Sequence, residues 1–177
     1  MFNREQAPIS KKAWEEIDER AKEVLKSYLS ARKVFKVNGP YGLDFNVISE
    51  GRLADIVEGG GVSYGTYKVQ PLTEVKVEFE MDRCELDNVE RGAADVDYEP
   101  LEKAAESIAL FEENAVFNGL EKALIPGIKN SVEHETILLG KDQTAIIKAL
   151  SEGIITLRKS YQEGPFVLVV NDKAYTR

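Results

Sequence analysis

An amphipathic segment near the start of the chain constrains the fold more than any other feature. Between residues 11 and 29, apolar side chains recur at helical spacing, and at about 100° per residue they fall within an arc of about 140°. The members of this apolar stripe are Trp14, Ile17, Ala21, Val24, Leu25, Tyr28 and Leu29. Ser10 is a suitable N-cap, and Pro8 prevents extension toward the N-terminus. The segment predicts a helix whose stripe is covered by the same subunit, by another subunit or by a bound guest.

Composition restricts the class of protein and its partners. The 177 residues, 43% hydrophobic and 31% charged, suit one soluble globular domain, or a compact domain from which one segment protrudes. The net charge of −8 offers no basic surface for phosphates, so we expect no nucleic-acid binding. A single cysteine, Cys84, excludes an internal disulfide and favours a reducing compartment. Without a signal-peptide pattern or a membrane-spanning apolar run, we expect a cytoplasmic protein with no membrane partner.

Residues 50–72 differ in composition from the rest of the chain. Valines and tyrosines alternate there with glycines, namely Gly51, Gly59, Gly60, Gly61 and Gly65 with Val57, Val62, Tyr64, Tyr67 and Val69. This pattern predicts two short extended arms around a flexible tip. A hairpin of this kind has too little apolar surface to be stable alone. It is therefore either a mobile surface loop, the commoner case, or an arm that lies on another surface.

The remaining chain carries both strand and helix patterns. Strand patterns occupy residues 31–37, 43–49, 73–81, 135–139 and 166–170, and the last of these is a continuous apolar run typical of a buried strand. Helix patterns comprise a short one within residues 82–92, a long one with Pro100 in its first turn that ends at Asn118-Gly119, and one capped by Asp142. The mixture predicts an α+β fold.

The sequence predicts no catalytic residue and no metal site. His134, the only histidine, lies between two glutamates without a nucleophile motif beside it, which is typical of a solvated surface residue. No Walker loop, Cys-x-x-Cys or His-Glu-x-x-His sequence occurs. Asp82 and Glu85 flank Cys84 and disfavour a reactive thiolate, so we expect an inert cysteine. These patterns indicate a protein that is not an enzyme.

One acidic residue of the long helix breaks its polar pattern. Glu112 falls within the apolar arc, where a carboxylate needs a cationic partner. Arg91 and Arg83 are the candidate partners, and no second convergent acid points to catalysis. We predict a structural ion pair for Glu112, with Arg91 as the preferred partner.

Several short sequence blocks occur together along the whole chain. The N-terminal blocks are Ala7-Pro8-Ile9-Ser10, Ala13-Trp14, Ile17-Asp18, Arg32-Lys33 and Gly39-Pro40-Tyr41-Gly42. The later blocks are Glu85-Leu86-Asp87-Asn88-Val89-Glu90-Arg91-Gly92, Phe111-Glu112-Glu113-Asn114-Ala115-Val116-Phe117-Asn118-Gly119 and Glu163-Gly164-Pro165-Phe166. In content and order they resemble the encapsulins, the bacterial and archaeal shell proteins once called linocin-type bacteriocins.

The resemblance implies a subunit with the tailed-phage major-capsid fold, which self-assembles into an icosahedral homo-oligomeric cage. Its implied parts are an N-terminal helical arm (1–31), a peripheral domain with a spine helix (32–49 and 73–134), an extended inter-subunit loop (50–72) and the start of an axial domain (135–177). An encapsulin continues beyond the position of Arg177. We therefore expect either a truncated product or completion by another chain.

The same resemblance implies that the shell encloses cargo enzymes, such as a dye-decolourising peroxidase or a ferritin-like protein, through a short targeting peptide. The candidate residues of the cargo-peptide groove are Trp14, Ile17, Leu25 and Tyr28. The candidate residues of the inter-subunit loop are Gly59, Gly60, Gly61, Tyr64 and Tyr67. Some encapsulins stack a flavin on an aromatic residue at the place that Arg83-Cys84 occupies here, so we expect no cofactor.

Two other functions stay open at the level of sequence. A major capsid protein of a tailed phage or prophage shares the fold but packages DNA, and the opening helix argues against it. The second open function is that of a peptidase or another hydrolase, a label historically attached to relatives. That function requires a nucleophile paired with a base, which the sequence does not supply.

Overall fold

The computed structural model describes residues 3–175 as two compact units, and the division between them falls after Ser131. The elements of the first unit are a 3₁₀ turn at Arg4–Gln6, α1 (Lys11–Tyr28), α2 (Ala31–Val34), β1 (Val47–Gly59), β2 (Val62–Pro71), α3 (Arg83–Arg91), α4 (Glu99–Asn118) and two further 3₁₀ turns at Glu121–Ala123 and Lys129–Ser131. The second unit contains α5 (Gln143–Lys159) and α6 (Asp172–Tyr175). The predicted α+β class is confirmed.

The core of the first unit lies where α1 packs on α3 and α4. Its buried side chains are Ala13, Ile17, Leu86, Val89 and Leu101. As predicted, Ser10 caps α1, because its hydroxyl accepts a hydrogen bond from the Ala13 N–H at 3.1 Å. Lys12 also donates to the Val89 carbonyl at the end of α3 at 2.8 Å. The N-terminal part of the apolar stripe is therefore covered by helices of the same chain.

The predicted pair of extended arms is an antiparallel hairpin. Val47 pairs with Pro71 at its base and Gly59 with Val62 at its tip. Gly60 and Gly61 form the two-residue turn with φ angles of 62° and 83°, a left-handed conformation that favours glycine. Nearly all hairpin residues are exposed, and the base is held to the rest of the unit by a 3.1 Å bond from Gln70 Nε2 to the Ala123 carbonyl.

The chain turns back sharply after α4, as the Asn118-Gly119 pattern predicts. An isolated bridge joins Leu120 to Ile125. The amide of Asn130 then holds the turn together by donating to the carbonyls of Asn118 and Pro126 at 3.1 and 2.9 Å. The backbone of Gly127 passes so close to that of Gly119 that neither position has room for a side chain.

Substitution of Gly127 by alanine is expected to destabilise the first unit by about 3 kcal/mol. The new Cβ would lie 2.2 Å from the Gly119 nitrogen, and the φ of 72° is unfavourable for alanine. Denaturant unfolding measures the loss. Gly59→Ala is the matched control, because Gly59 has open space around it and no positive φ. The free energy of unfolding of Gly59→Ala is expected to lie within about 0.5 kcal/mol of that of the parent. Equal stability of the two variants would contradict the assigned turn.

The prediction of a strand at residues 31–37 is wrong. The structure has helix α2 over Ala31–Val34 instead. The cause is a contact from a distant part of the chain. The Glu113 carboxylate of α4 accepts a hydrogen bond from the Ala31 N–H at 2.8 Å and another from the Ser30 hydroxyl. Local alternation of basic and apolar residues contains no information about this cap.

The other predicted strands outside the hairpin also differ from the structure. β1 begins at Val47, so only the end of the 43–49 pattern is a strand, and residues 73–81, 135–139 and 166–170 form no strand. A strand requires a hydrogen-bonded partner, and within residues 3–175 only β1 and β2 form a sheet. The predicted burial of the 166–170 run is wrong as well, since Val167 and Leu168 are each 60% exposed.

Candidate functional site

An open cavity of about 790 Å³ lies along the C-terminal half of α1 and over α2. We call it the α1–α2 groove. Its lining residues are Asp18, Ala21, Lys22, Leu25, Lys26, Leu29, Arg32 and Lys33. The apolar members belong to the stripe of α1, and of these Ala21 and Leu25 are half-buried whereas Leu29 is buried.

The charged lining of the groove is unbalanced. Asp18 is paired with Arg4, and Arg32 is paired with Glu112, so both are neutralised within the chain. Lys22, Lys26 and Lys33 make no hydrogen bond or ion pair through their ammonium groups to any of residues 3–175. An apolar groove bordered by free ammonium groups favours an anionic, partly apolar ligand. This local preference contrasts with the net charge of −8 for the chain.

Two of the predicted groove residues lie in the core instead. Ile17 is 7% exposed and packs with Leu86, Val89 and Leu101, so a guest cannot contact it. Trp14 is half-buried against the same cluster, and the Arg4 guanidinium lies 4.7 Å from the centre of its ring. These two side chains stabilise α1 on its own unit by packing and a cation–π contact.

The other two predicted groove residues differ from each other. Leu25 is half-buried and lines the groove. Tyr28 is 40% exposed, and its hydroxyl interacts with Glu106 of α4, which raises the pKa of Tyr28. The structure therefore does not bring the four predicted residues to one surface.

Sequence reasoning missed the basic residues of the groove. Lys22 and Lys26 flank Leu25 on α1 at a spacing of four, which is a usable signal once Leu25 is a candidate. Arg32 and Lys33 carry no such signal, because the pattern of residues 31–37 predicts a strand. Their position in the groove depends on the α2 helix, which in turn depends on the contact with α4.

The predicted ion pair of Glu112 has a different partner. Glu112 accepts two hydrogen bonds from Arg32, with Nε and Nη2 each 2.6 Å from a carboxylate oxygen, and this contact raises the pKa of Arg32 further. Arg91, the preferred candidate, donates to Asn88 of its own helix at 2.6 Å. The reason for the change is again α2, which places Arg32 directly beside α4.

The ion pair between Arg4 and Asp18, which lines one end of the groove, depends on pH. Arg4 donates to both Asp18 oxygens at 2.6 and 2.7 Å, which lowers the pKa of Asp18. A lowered carboxyl pKa in the folded state means that the stabilisation is present above the ordinary value near 3.8 and is lost as the pH falls through the folded value. Since both side chains are about half exposed, solvent screens the pair and its contribution to stability is small.

We expect the emission of Trp14, the only tryptophan, to change as the pH falls below 4, because protonated Asp18 no longer holds Arg4 over the ring. A fluorescence titration measures this change. Asp18→Asn removes the titrating group, so its emission is expected to be independent of pH in that range. A persistent transition in Asp18→Asn would assign the signal to another carboxylate.

The hairpin presents exposed apolar side chains on both of its faces. Tyr67, 73% exposed, lies directly opposite Leu53, and Tyr64 lies opposite Val57 on the other face. Exposed apolar pairs of this kind are typical of a surface that contacts another protein. The predicted tip residues Gly59, Gly60 and Gly61 have open space around them.

The second unit brings together a serine and the histidine. Ser160 Oγ lies 3.1 Å from Nε2 of His134 and 3.2 Å from the Thr156 carbonyl oxygen. The serine hydroxyl donates to that carbonyl, and the tautomer of His134 decides which of the two side chains donates in their own contact. The described residues contain no group of His, Cys, Asp and Glu suited to a metal ion, and none of their helices has the length and apolarity to cross a membrane.

Comparison with known proteins identifies the class of chain that carries these features. The family model for encapsulating proteins for peroxidase, Linocin_M18, matches residues 1–177. The type 1 encapsulin shell protein of Rhodococcus erythropolis is 37% identical over 176 residues, covering 99% of this chain and 67% of that protein. The shell protein of Rhodospirillum rubrum is 36% identical, covering 97% of this chain and 64% of its own length.

A third relative, the type 1 encapsulin shell protein of Mycolicibacterium paratuberculosis, is 33% identical over 175 residues, covering 98% of this chain and 66% of that protein. The chain belongs to the encapsulin shell protein family. It spans about two thirds of the length of the curated relatives it matches. By name these relatives are shell proteins, which agrees with the sequence-based expectation of a protein that is not an enzyme.

Proposed function

We propose that the protein is a shell subunit that assembles with copies of itself into a closed icosahedral compartment in the cytoplasm and encloses cargo enzymes. The observation that carries the proposal is the match of the whole chain to a family of encapsulating shell proteins. The hairpin supports it, because apolar side chains exposed on both faces suit an arm that neighbouring subunits cover. The subunit in this proposal has the tailed-phage major-capsid fold.

In this proposal the parts of the chain have distinct tasks. Residues 1–31 form an N-terminal arm at the inner surface, and residues 32–49 and 73–134 form the peripheral domain, with α4 as its spine helix. Residues 50–72 reach across a neighbouring subunit. Residues 135–177 begin the axial domain, which meets its copies at the symmetry axes.

The α1–α2 groove is the proposed docking site for the targeting peptide of the cargo. Leu25 offers apolar contact, and Ala21 extends that contact along the groove, whereas Leu29 is buried beneath it. The free ammonium groups of Lys22, Lys26 and Lys33 favour a peptide with acidic groups beside its apolar side chains. A peroxidase is the first candidate cargo, because the matching family is described as encapsulating proteins for peroxidase. A ferritin-like protein is the second candidate.

Electron microscopy and native mass spectrometry of the protein purified from its host test the proposal. Closed particles of uniform diameter that contain a second protein are the expected result, and peptide mass fingerprinting identifies that protein. A purified protein that remains a small soluble species at all concentrations would contradict shell formation. Closed but empty particles would support the shell and contradict the cargo proposal.

A further inference from the structure

We propose that Glu113 is a positioning residue for the α1–α2 groove. It holds the start of α2 against α4 and thereby fixes the side of the groove that carries Arg32 and Lys33. That this arrangement serves cargo binding rests on the proposed function. The positioning of α2 by Glu113 does not depend on that function, because it concerns contacts within one chain.

Helix α2 needs support from outside itself. It has only four residues, and a helix this short is not stable alone. The preceding residue, Ser30, has a helical backbone conformation, and its side chain does not cap the helix. One oxygen of Glu113 instead accepts the Ala31 N–H at 2.8 Å, and the other accepts the Ser30 hydroxyl. The cap of α2 therefore comes from α4 and is charge-assisted.

The neighbouring acid completes the attachment of α2. Glu112 holds the Arg32 guanidinium with two hydrogen bonds of 2.6 Å, while Glu113 holds the backbone one residue earlier. Leu29, just before α2, is buried and also lines the groove. Two consecutive carboxylates of α4 thus fix both the backbone and the basic side chain of the α2 wall. Loss of the Glu113 contact frees the helix start and moves Lys33 away from its position in the groove.

A pair of variants separates the hydrogen-bond acceptor from the negative charge. Glu113→Ala removes both, whereas Glu113→Gln loses the charge but keeps an oxygen for the Ala31 N–H and an amide that donates to Ser30. We expect hydrogen exchange of the α2 amides to accelerate about tenfold in Glu113→Ala and at most about twofold in Glu113→Gln. Glu99→Ala is the control for charge loss on α4. Within residues 3–175 the Glu99 side chain pairs only with Lys103, one turn further along α4, so this variant is expected to leave exchange in α2 unchanged.

Binding of the anionic apolar dye 8-anilinonaphthalene-1-sulfonate reports on the groove without any cargo. The groove signal is the part of the fluorescence that Leu25→Asp abolishes. In Glu113→Ala we expect the dye affinity of the groove to fall about fivefold, although the lost negative charge by itself would strengthen binding of an anion. Glu113→Gln is expected to bind the dye at least as tightly as the parent.

Either of two results would overturn the proposal: parental α2 exchange in Glu113→Ala, or equal acceleration in Glu113→Ala and Glu113→Gln. If Glu113→Ala does not fold, Ser30→Ala takes its place, because it removes one of the two hydrogen bonds and is expected to accelerate α2 exchange about threefold. No acceleration in Ser30→Ala would contradict the proposal equally. Neither readout depends on shells or cargo, so failure of the proposed function would be seen separately.

Discussion

Replacement of Leu25 by aspartate is expected to reduce cargo loading at least tenfold while closed shells still form. Leu25 is the half-buried leucine at the centre of the groove lining, between Lys22 and Lys26 on α1. The substitution removes apolar contact worth roughly 1.5–3 kcal/mol for a buried leucine. The new carboxylate also pairs with the lysines that would otherwise attract an acidic peptide. The ratio of cargo to shell protein in purified particles measures the effect.

Two matched variants control this experiment. Leu25→Met keeps an apolar side chain of similar volume, so loading is expected to remain within about twofold of the parent. Leu138→Asp introduces the same carboxylate at a highly exposed leucine of the second unit that is not among the lining residues of the groove. Unchanged loading in Leu25→Asp would show that the α1 stripe serves the fold alone, and the cargo peptide would then have to bind elsewhere.

Trp14 shows how the structure alters a sequence-based prediction. From the stripe alone, Trp14→Ala should reduce loading as Leu25→Asp does. In the structure Trp14 packs beside Ile17 and below Arg4 and lies outside the groove. We therefore expect Trp14→Ala to reduce the free energy of unfolding by about 3 kcal/mol while it changes loading less than Leu25→Asp does. Helical periodicity places both residues on one face, but it does not tell which part of the face a second helix covers.

Features set by a few neighbouring residues could be predicted from the sequence. Ser10 and Asp142 cap α1 and α5 through bonds to N–H groups three residues ahead, and the two-glycine tip produces the hairpin turn. Features that depend on distant contacts could not. Helix α2 exists because Glu113, more than eighty residues later, caps it, and the groove charges follow from that helix. The strand patterns that failed need a partner strand, whose presence a local pattern does not determine.

The second large effect concerns assembly. The double substitution Leu53→Asp with Tyr67→Asp is expected to abolish shells and leave a folded subunit. The two side chains lie directly opposite each other on one face of the hairpin and are 45% and 73% exposed. In the isolated subunit both carboxylates therefore stay in water, and their cross-strand repulsion costs about 1 kcal/mol or less. Within a shell, a neighbouring subunit would cover that face, and burying two unpaired carboxylates costs several kcal/mol at every copy of the contact. Because each subunit contributes one hairpin, this cost recurs around the whole particle.

Size-exclusion chromatography and mass photometry distinguish shells from free subunits, and denaturant unfolding reports whether the subunit is folded. Tyr67→Phe retains the apolar ring and is expected to assemble as the parent does. Deletion of Gly59–Gly61 removes the tip, including the Gly59–Val62 pair, without adding charge. It should weaken assembly less than the double substitution, since the strand pairs nearer the base remain. If the double variant forms closed shells in normal yield, this hairpin face is solvent-exposed in the particle. The arm would then have to contact its neighbour through Tyr64, Val57 and the opposite face.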